Sequence, residues 1–311
     1  DDKYRVVRQL GEGGMGAVFE VVHQDIGQHA AVKILHPEHA SKQKLVDRFF
    51  DEARAIGLVQ HPGLVKVFDY ARLQDGTVYI LMELLEGESL WDRFTRFRDG
   101  GSWLPVDQVL RLSRQLAATL AAVHQKGIIH RDLKPENVVI VPDPEAIGGE
   151  RAKILDFGIA KFAESTKGGG GARRTTVGMV LGTPLYMSPE QCRGDDALTD
   201  KSDVYSLGVM MYEMVAGKPP FDNAAGGMIM ASHIFRDPAP LRALPNPPPE
   251  GVAQLISDMM AKEPGQRPTM AQAVARLESL GVNPSMPALR LPTGGFALAP
   301  RCLEDRHQPN G

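Results

Sequence analysis

The chain has 311 residues, 43% of them hydrophobic and 23% charged, with a formal net charge of −3. This is the composition of an ordinary globular protein long enough to bury a large core, and it points to neither nucleic acid nor an anionic membrane as partner. Cys192 and Cys302 stand far apart in neither a metal nor a disulfide pattern, so a reducing cytosol is expected. No apolar run approaches the ~18 residues of a membrane helix, and the charged start Asp1 to Arg5 is unlike a signal peptide.

The first motif is Leu10-Gly11-Glu12-Gly13-Gly14-Met15-Gly16-Ala17-Val18. A GxGxxG string suits either a dinucleotide fold or a phosphate-covering β-turn, and the residues after it distinguish the two. A dinucleotide fingerprint runs into a helix, whereas here Ala17–Val22 and Ala30–Leu35 are β-branched runs around the turn Asp25-Ile26-Gly27. Glycine lets the backbone close over a triphosphate with no Cβ in the way, and Val18 would cover one face of an adenine. Lys33, in the second run, is suited to the α- and β-phosphates if a carboxylate fixes its head. Residues Lys42 to Val59 carry Leu45, Phe49, Ala53 and Ile56 at helical spacing and include Glu52, the expected partner, with Asp51 one position away as the alternative. Val78 to Glu83 reads as a strand entering a connector at Leu84 to Gly87. From Val106 the pattern turns helical, through Leu110, Leu116 and Val123 towards an end at Gly127.

The octapeptide His130-Arg131-Asp132-Leu133-Lys134-Pro135-Glu136-Asn137 comes next, with Asp156-Phe157-Gly158 about twenty residues later. A serine or threonine hydroxyl is a poor nucleophile and needs a carboxylate to orient it and take its proton, a role for Asp132. Lys134, two residues on, would point the same way from an extended segment and set a cation against the γ-phosphate. Mg²⁺ prefers hard oxygens and keeps several waters, so Asn137 and Asp156 suffice as protein ligands. Asp203 to Ala216 is nearly continuous apolar sequence, too short for a membrane span and therefore a buried helix. Residues 238–249 are Pro-rich and read as a loop, Val252 to Met260 as a further helix, and the Pro- and Gly-rich 282–311 as a tail or linker.

In order from Gly11 to Arg267, these motifs resemble the eukaryotic-like (bacterial type) Ser/Thr protein kinases. The resemblance implies an α+β bilobal kinase fold over residues 1–281. It has a small β-rich lobe with one regulatory helix (about 1–83), a hinge (84–87) and a larger α-helical lobe (about 88–281). It implies ATP and Mg²⁺, with Mn²⁺ as a substitute, and an ATP-binding set of Leu10, Gly11, Glu12, Gly13, Gly14, Met15, Gly16, Ala17, Val18, Ala31, Lys33, Met82, Glu83, Leu85 and Val139. Within it Met82 lies at the back of the adenine pocket, and the Glu83 C=O and Leu85 N–H bond the adenine edge. By the same resemblance Lys33, Glu52, Asp132 and Lys134 form the catalytic group, Asp203 anchors the catalytic loop, and Arg267 pairs with Glu190. That glutamate stands in Ser188-Pro189-Glu190, where the family's usual motif begins with alanine.

Between Asp156 and Glu190 a four-glycine run, Gly168 to Gly171, precedes Arg173-Arg174-Thr175-Thr176. Thr175 and Thr176 are expected autophosphorylation sites, because a phosphate there adds charge that Arg131, Lys161 and Arg48 could gather, ordering the segment. Lys134 and Gly182-Thr183-Pro184 resemble Ser/Thr rather than tyrosine kinases, with Thr183 setting the depth of the acceptor pocket. Glu136 is a candidate for favouring basic residues near the acceptor. The implied partners are proteins with Ser or Thr acceptors, including this chain itself, with dimerisation for trans-autophosphorylation; neither nucleic acid nor membrane contact is expected. The implied location is the cytoplasm, alone or as the cytoplasmic part of a membrane-anchored protein. A scaffolding pseudokinase and a small-molecule kinase are the competing readings. The first is disfavoured by the presence of Lys33, Glu52, Asp132, Asn137 and Asp156 together, the second by the stretch from Gly182 to Glu190 and by Arg267.

Overall fold

The computed structural model of the chain describes residues 3–157, 184–195, 197–222 and 225–281. Its first part is an antiparallel sheet of β1 (Tyr4–Glu12), β2 (Gly16–His23), β3 (His29–Leu35), β4 (Val67–Arg72) and β5 (Val78–Met82), in the order β1-β2-β3-β5-β4. The β2–β3 turn is the predicted one: Gly27 adopts φ +66°, and its N–H donates to the His23 carbonyl at 2.9 Å. Val21, Ala30, Val32 and Leu81 pack on one face of the sheet. Leu35, Val78 and Ile80 are buried on the other, against α2 (Gln43–Gly57) through Val46, Phe49 and Ala53. The apolar spacing that predicted α2 is the stripe that it buries.

Ahead of α2 lies a one-turn helix that the apolar pattern does not predict, α1 (Pro37–Ala40), started by Pro37 at its first position. Proline there lacks only an N–H that the helix would leave unpaired anyway.

The second part begins with β6 (Glu88–Ser89) and α3 (Leu90–Asp99), which is capped by Ser89 accepting from the Asp92 N–H. Helix α4 (Val106–His124) comes next, and Gly127, at φ +71° with its N–H on the His124 carbonyl, closes it where the sequence predicted. β7 (Val138–Pro142) and β8 (Glu150–Ile154) complete a three-stranded sheet with β6. This sheet is an addition to the expected helical lobe. The remaining described helices are α5 (Pro189–Arg193), α6 (Lys201–Ala216), α7 (Gly226–Phe235), α8 (Glu250–Met259) and α9 (Met270–Gly281). The Pro-rich 238–249 stretch carries one 3-10 turn, Leu241–Ala243, and α8 begins two residues before Val252.

Helix α6 is the axis of this part: every residue from Ser202 to Ala216 is buried. A helix apolar all round is stable only when covered on all sides, and α4, α8 and the Pro184–Tyr186 turn supply the cover. At Gly208 a Cβ would lie 2.9 Å from Met259 Cβ, so the crossing with α8 requires glycine. At the helix end Gly217 has φ +73°, and a Cβ there would meet the Trp103 ring at 1.7 Å. Among the described residues no helix is long and apolar enough to cross a membrane.

Replacing Gly217 by alanine places a side chain in left-handed backbone, at about 1–2 kcal/mol, and evicts the Trp103 ring as well. We expect a lower midpoint of thermal unfolding together with a red-shifted tryptophan emission; an unchanged midpoint would contradict this account of the α6 terminus.

Candidate active site

Sheet register places the first group of candidate residues. Residues directly opposite in an antiparallel pair share a face, and alternate residues along a strand share it too. Gly11 pairs with Val18, Val18 with Lys33, and Ala31 with Met82. Because 31 and 33 are two apart, Gly11, Val18, Ala31, Lys33 and Met82 all project from one face of the sheet. That face is the one carrying α2. Within the Gly-rich segment the glycines differ: a Cβ at Gly16 would lie 2.1 Å from the Ile34 carbonyl oxygen, whereas at Gly11 it would meet nothing within 4 Å. Gly16 is required by strand packing, and Gly11 leaves room.

Lys33 Nζ stands 3.2 Å from Glu52 Oε1 and 2.9 Å from Asp156 Oδ2. The expected Glu52 partner is therefore the one that meets Lys33, while Asp51 bonds Arg54 on the surface. Lys33's ammonium is held well above its ordinary range, since the Asp156 and Glu52 charges outweigh the burial that opposes it. For Glu52 the balance is reversed: burial, assisted by the Asp156 charge, pushes its carboxyl up to about 8 against the pull of Lys33. Asp156 is held below the usual carboxylate range, burial being overcome by Lys33. The three groups join strand β3, helix α2 and the segment after β8.

The connector begins at Glu83, whose N–H donates to the Lys66 carbonyl at 2.9 Å. Its carboxylate accepts from the Lys66 N–H at 2.6 Å and from Lys153 Nζ at 2.6 Å, so the side chain is engaged with β8. Among the described residues the Leu85 N–H makes no main-chain hydrogen bond. Met82 and Leu85 pack, partly buried, against the main core, and Val139 lies half-buried on β7.

The octapeptide is positioned by Asp203, at the start of α6. Its buried carboxylate accepts from the His130 N–H at 2.8 Å and the Arg131 N–H at 2.9 Å, and from His124 Nε2 at 2.8 Å. These partners overcome the burial that would raise its pKa and hold it below the carboxylate range, the His124 bond and charge contributing most. His130 is itself buried, donating from Nε2 to the Leu155 carbonyl at 3.0 Å and packing at a tilt against the Phe157 ring with centroids 4.8 Å apart. Among the described residues Arg131 alone of the non-glycines has positive φ, at +69°. The strain is held from both sides, by Asp203 on its N–H and by Gln191 Nε2 donating to its carbonyl at 2.8 Å. Its side chain keeps a buried Nε that has no hydrogen-bond partner among the described residues.

Asn137 Nδ2 donates to the Asp132 carbonyl at 2.8 Å and to Asp132 Oδ2 at 3.1 Å. Lys134 Nζ lies 3.8 Å from that same Oδ2. Because the Asn137 NH₂ turns to Asp132, its amide oxygen is turned away from it. An amide oxygen and the Asp156 carboxylate are hard donors of the kind Mg²⁺ takes alongside phosphate oxygens and water. Among the described residues there is no cluster of three His, Cys, Asp or Glu side chains that could hold a metal alone.

Arg267 is buried just after the 3-10 turn Pro264–Gln266, ahead of α9, and has all five guanidinium donors engaged. It pairs with Glu190 through Nη1–Oε1 at 2.7 Å and Nη2–Oε2 at 2.9 Å, and donates to the carbonyls of Ala261, Lys201 and Lys262. Ser202 adds a bond to Glu190 at 2.8 Å. Thr175, Thr176, Thr183 and Lys161 lie outside the described residues.

Two residues beyond the predicted set belong to this framework. Gln191 had a legible signal, since Ser188-Pro189-Glu190-Gln191 is a capping box, and that box is formed. His124 had none, because its partner Asp203 is 79 residues away.

A family model described as protein kinase domain matches residues 4–277. The serine/threonine-protein kinase pkn2 of Myxococcus xanthus is 39% identical over 277 residues, covering 88% of this chain and 32% of that protein. Its relative pkn3, from the same organism, is 36% identical over 277 residues, covering 87% of this chain and 48% of that protein. The serine/threonine-protein kinase PknA of Mycobacterium tuberculosis is 37% identical over 305 residues, covering 96% of this chain and 66% of its own length. The chain thus spans about a third to two thirds of the length of these relatives.

Replacing Arg267 by methionine strands the buried Glu190 carboxylate, and denaturant unfolding should show a loss of about 3–5 kcal/mol. Changing both residues to methionine should recover part of that loss. A single variant with the stability of the parent would show that the pair is not buried as described.

Proposed function

The chain belongs to the protein kinase domain family, and from that premise we propose that it is a protein serine/threonine kinase, transferring the γ-phosphate of Mg-ATP to Ser or Thr hydroxyls. The observation that carries this reading is Lys33 held between Glu52 at 3.2 Å and Asp156 at 2.9 Å, which joins the Gly-rich sheet to the metal-ligand candidate in one geometry. The small lobe is taken as about 1–83, the hinge as 84–87, the large lobe as about 88–281, and 282–311 as a tail or linker. The names of the relatives, all serine/threonine-protein kinases, agree with it.

In this reading the adenine lies between Val18, Ala31 and Met82, with its edge on the Glu83 C=O and Leu85 N–H. Val139 closes the pocket from below, and residues Leu10 to Ala17 cover the phosphates, which Lys33 orients. Asn137 and Asp156 would hold Mg²⁺, or Mn²⁺ in its place, and the ion when bound neutralises charge on the phosphates. Asp132, oriented by the Asn137 amide, accepts the proton of the substrate hydroxyl as its oxygen bonds to phosphorus. The bond from the γ-phosphorus to the bridging oxygen breaks, and its electron pair leaves on ADP. Lys134 stabilises the charge on the transferred group. Thr183 lines the acceptor pocket, and Asp203, Glu190 and Arg267 support the loop from below.

Control is assigned to phosphorylation of Thr175 or Thr176 by another copy of the chain. The Nε of Arg131, beside the proposed base and without a hydrogen-bond partner among the described residues, supports this, because a buried guanidinium nitrogen calls for an acceptor and a phosphate supplies several. The domain is assigned to the cytoplasm, alone or as the cytoplasmic part of a membrane-anchored protein, where Mg-ATP is supplied.

Radiolabelled ATP with Mg²⁺ and a basic protein substrate tests the reaction. Asp132→Asn should lower turnover by about 10²–10⁴-fold, the usual contribution of general acid–base catalysis, with nucleotide affinity nearly unchanged. Equal turnover in both proteins would sink the assignment. For control, activity should rise on preincubation with Mg-ATP, and Thr175→Ala/Thr176→Ala should stay at the basal rate. Phosphopeptide mapping that finds phosphate elsewhere, with the double variant fully active, would remove these threonines from the switch.

A further inference from the structure

The Gly-rich segment between β1 and β2 is fastened to the corner where β3 runs into α1. Three consecutive carbonyls of the segment are turned to that corner. Gly13 O accepts from His36 Nε2 at 3.0 Å, and Gly14 O accepts from His39 Nε2 at 3.0 Å. Met15 O accepts from the His36 backbone N–H at 2.9 Å. A carbonyl oxygen can only accept, so both imidazoles carry a proton on Nε2. His39 Nδ1 is buried with no hydrogen-bond partner among the described residues, which suits a bare lone pair there and fixes the ring as an Nε2 donor. The two rings stand 6.4 Å apart, with Glu12 and Glu38 as nearby carboxylates at 3.9 Å and 3.6 Å from the two Nε2 atoms.

Peptide planarity converts these bonds into a statement about donors. In a trans peptide the C=O of one residue and the N–H of the next point in opposite directions, and no peptide among the described residues is cis. With the carbonyls of Gly13, Gly14 and Met15 aimed at the corner, the N–H groups of Gly14, Met15 and Gly16 are aimed away from it. The Gly13 N–H is removed from this set by its own bond to Gly16 O at 2.9 Å. Successive N–H groups presented by a glycine-rich turn form a concavity that suits anionic oxygen. Glycine at 13 and 14 makes the arrangement reachable but does not select it, since the same freedom admits many other plane orientations.

We propose that His36 and His39 are positioning residues that hold the peptide planes of Gly13 to Gly16 with their N–H groups towards the phosphates of a bound nucleotide. They act through the loop and touch no part of the nucleotide themselves. This rests on the nucleotide-binding reading above and adds to it a pair of side chains outside the loop. The consequence is specific: the histidines contribute to recognition of the phosphates and not of the adenine.

The test is calorimetric titration of the full chain with ADP and, separately, with adenosine, each in the presence of Mg²⁺. In His36→Ala/His39→Ala the ADP dissociation constant should rise about tenfold, the order expected for one or two net hydrogen bonds, with adenosine affinity within about twofold of the parent. His36→Gln/His39→Gln, which keeps a donor near each Nε2 position, should restore ADP binding to within about threefold. Thermal unfolding reports whether each variant is folded. Unchanged ADP affinity in the alanine variant would overturn the proposal, as would equal weakening of ADP and adenosine, the mark of a damaged lobe, or glutamine variants as poor as alanine. A parent chain that binds neither ligand would instead bring down the nucleotide-binding reading, and this inference with it.

Discussion

The arrangement of the site depends on one buried carboxylate. Asp203 sits in the first turn of α6 and collects two consecutive main-chain N–H groups, those of His130 and Arg131, together with the His124 ring. Burying a charge is costly unless every lone pair finds a donor, and here the donors are the backbone of the very loop that carries Asp132. The bond network explains why Arg131 tolerates φ +69°, a conformation that a non-glycine residue leaves unless it is held. Gln191 holds the other side of the same residue from α5. The direction of the Asp132 side chain is thus a consequence of where α6 begins, and α6 is in turn fixed by burial along its whole length.

The upper half of the site is built on a different principle. Strand register alone brings Gly11, Val18, Ala31, Lys33 and Met82 to one face, and the apolar stripe of α2 brings Glu52 beneath Lys33. The two halves meet at Lys33 and Asp156, and also behind the connector, where Lys153 of β8 reaches Glu83. β8 further pairs with the segment after α2, through the Ile154 N–H on the Gly63 carbonyl and the Val65 N–H on the Ile154 carbonyl. The loop leaving α2 is therefore tied to the large lobe although its sequence neighbours belong to the small one. Two carboxylates and one ammonium at the meeting point leave Glu52 and Asp156 in unequal states, the first carboxyl raised and the second lowered.

Much of this was legible because the chemistry is carried by short contiguous strings. His130 to Asn137 fixes Asp132, Lys134 and Asn137 relative to one another within one stretch of backbone, and the turn at Gly27 and the helix end at Gly127 each need the positive φ that glycine supplies. What stayed hidden had weak or misleading local signal. The strand Val138–Pro142 begins directly after the run that the His130–Asn137 motif had already claimed, and its partner Glu150–Ile154 is too short and too charged to alternate clearly. Helix α3 buries only Leu90, Arg93 and Phe94 of its ten residues, and the buried arginine, paired with Glu88 and Glu150, breaks the apolar pattern that would reveal it.

The sequence by itself determined the class of the fold, the family resemblance and the identity of the candidate reacting groups, because spacing along a chain constrains residues within a few positions of each other. Only the tertiary structure decided which distant groups meet: Glu52 rather than Asp51 at Lys33, His124 with Asp203, Gln191 with Arg131, and the two histidines of the α1 corner with the Gly-rich carbonyls. The physical reason is that such pairs are selected by packing and register, where a shift of one residue turns a side chain to the opposite face of a strand or about a hundred degrees around a helix. Local pattern can propose both neighbours, and only the packed core distinguishes between them.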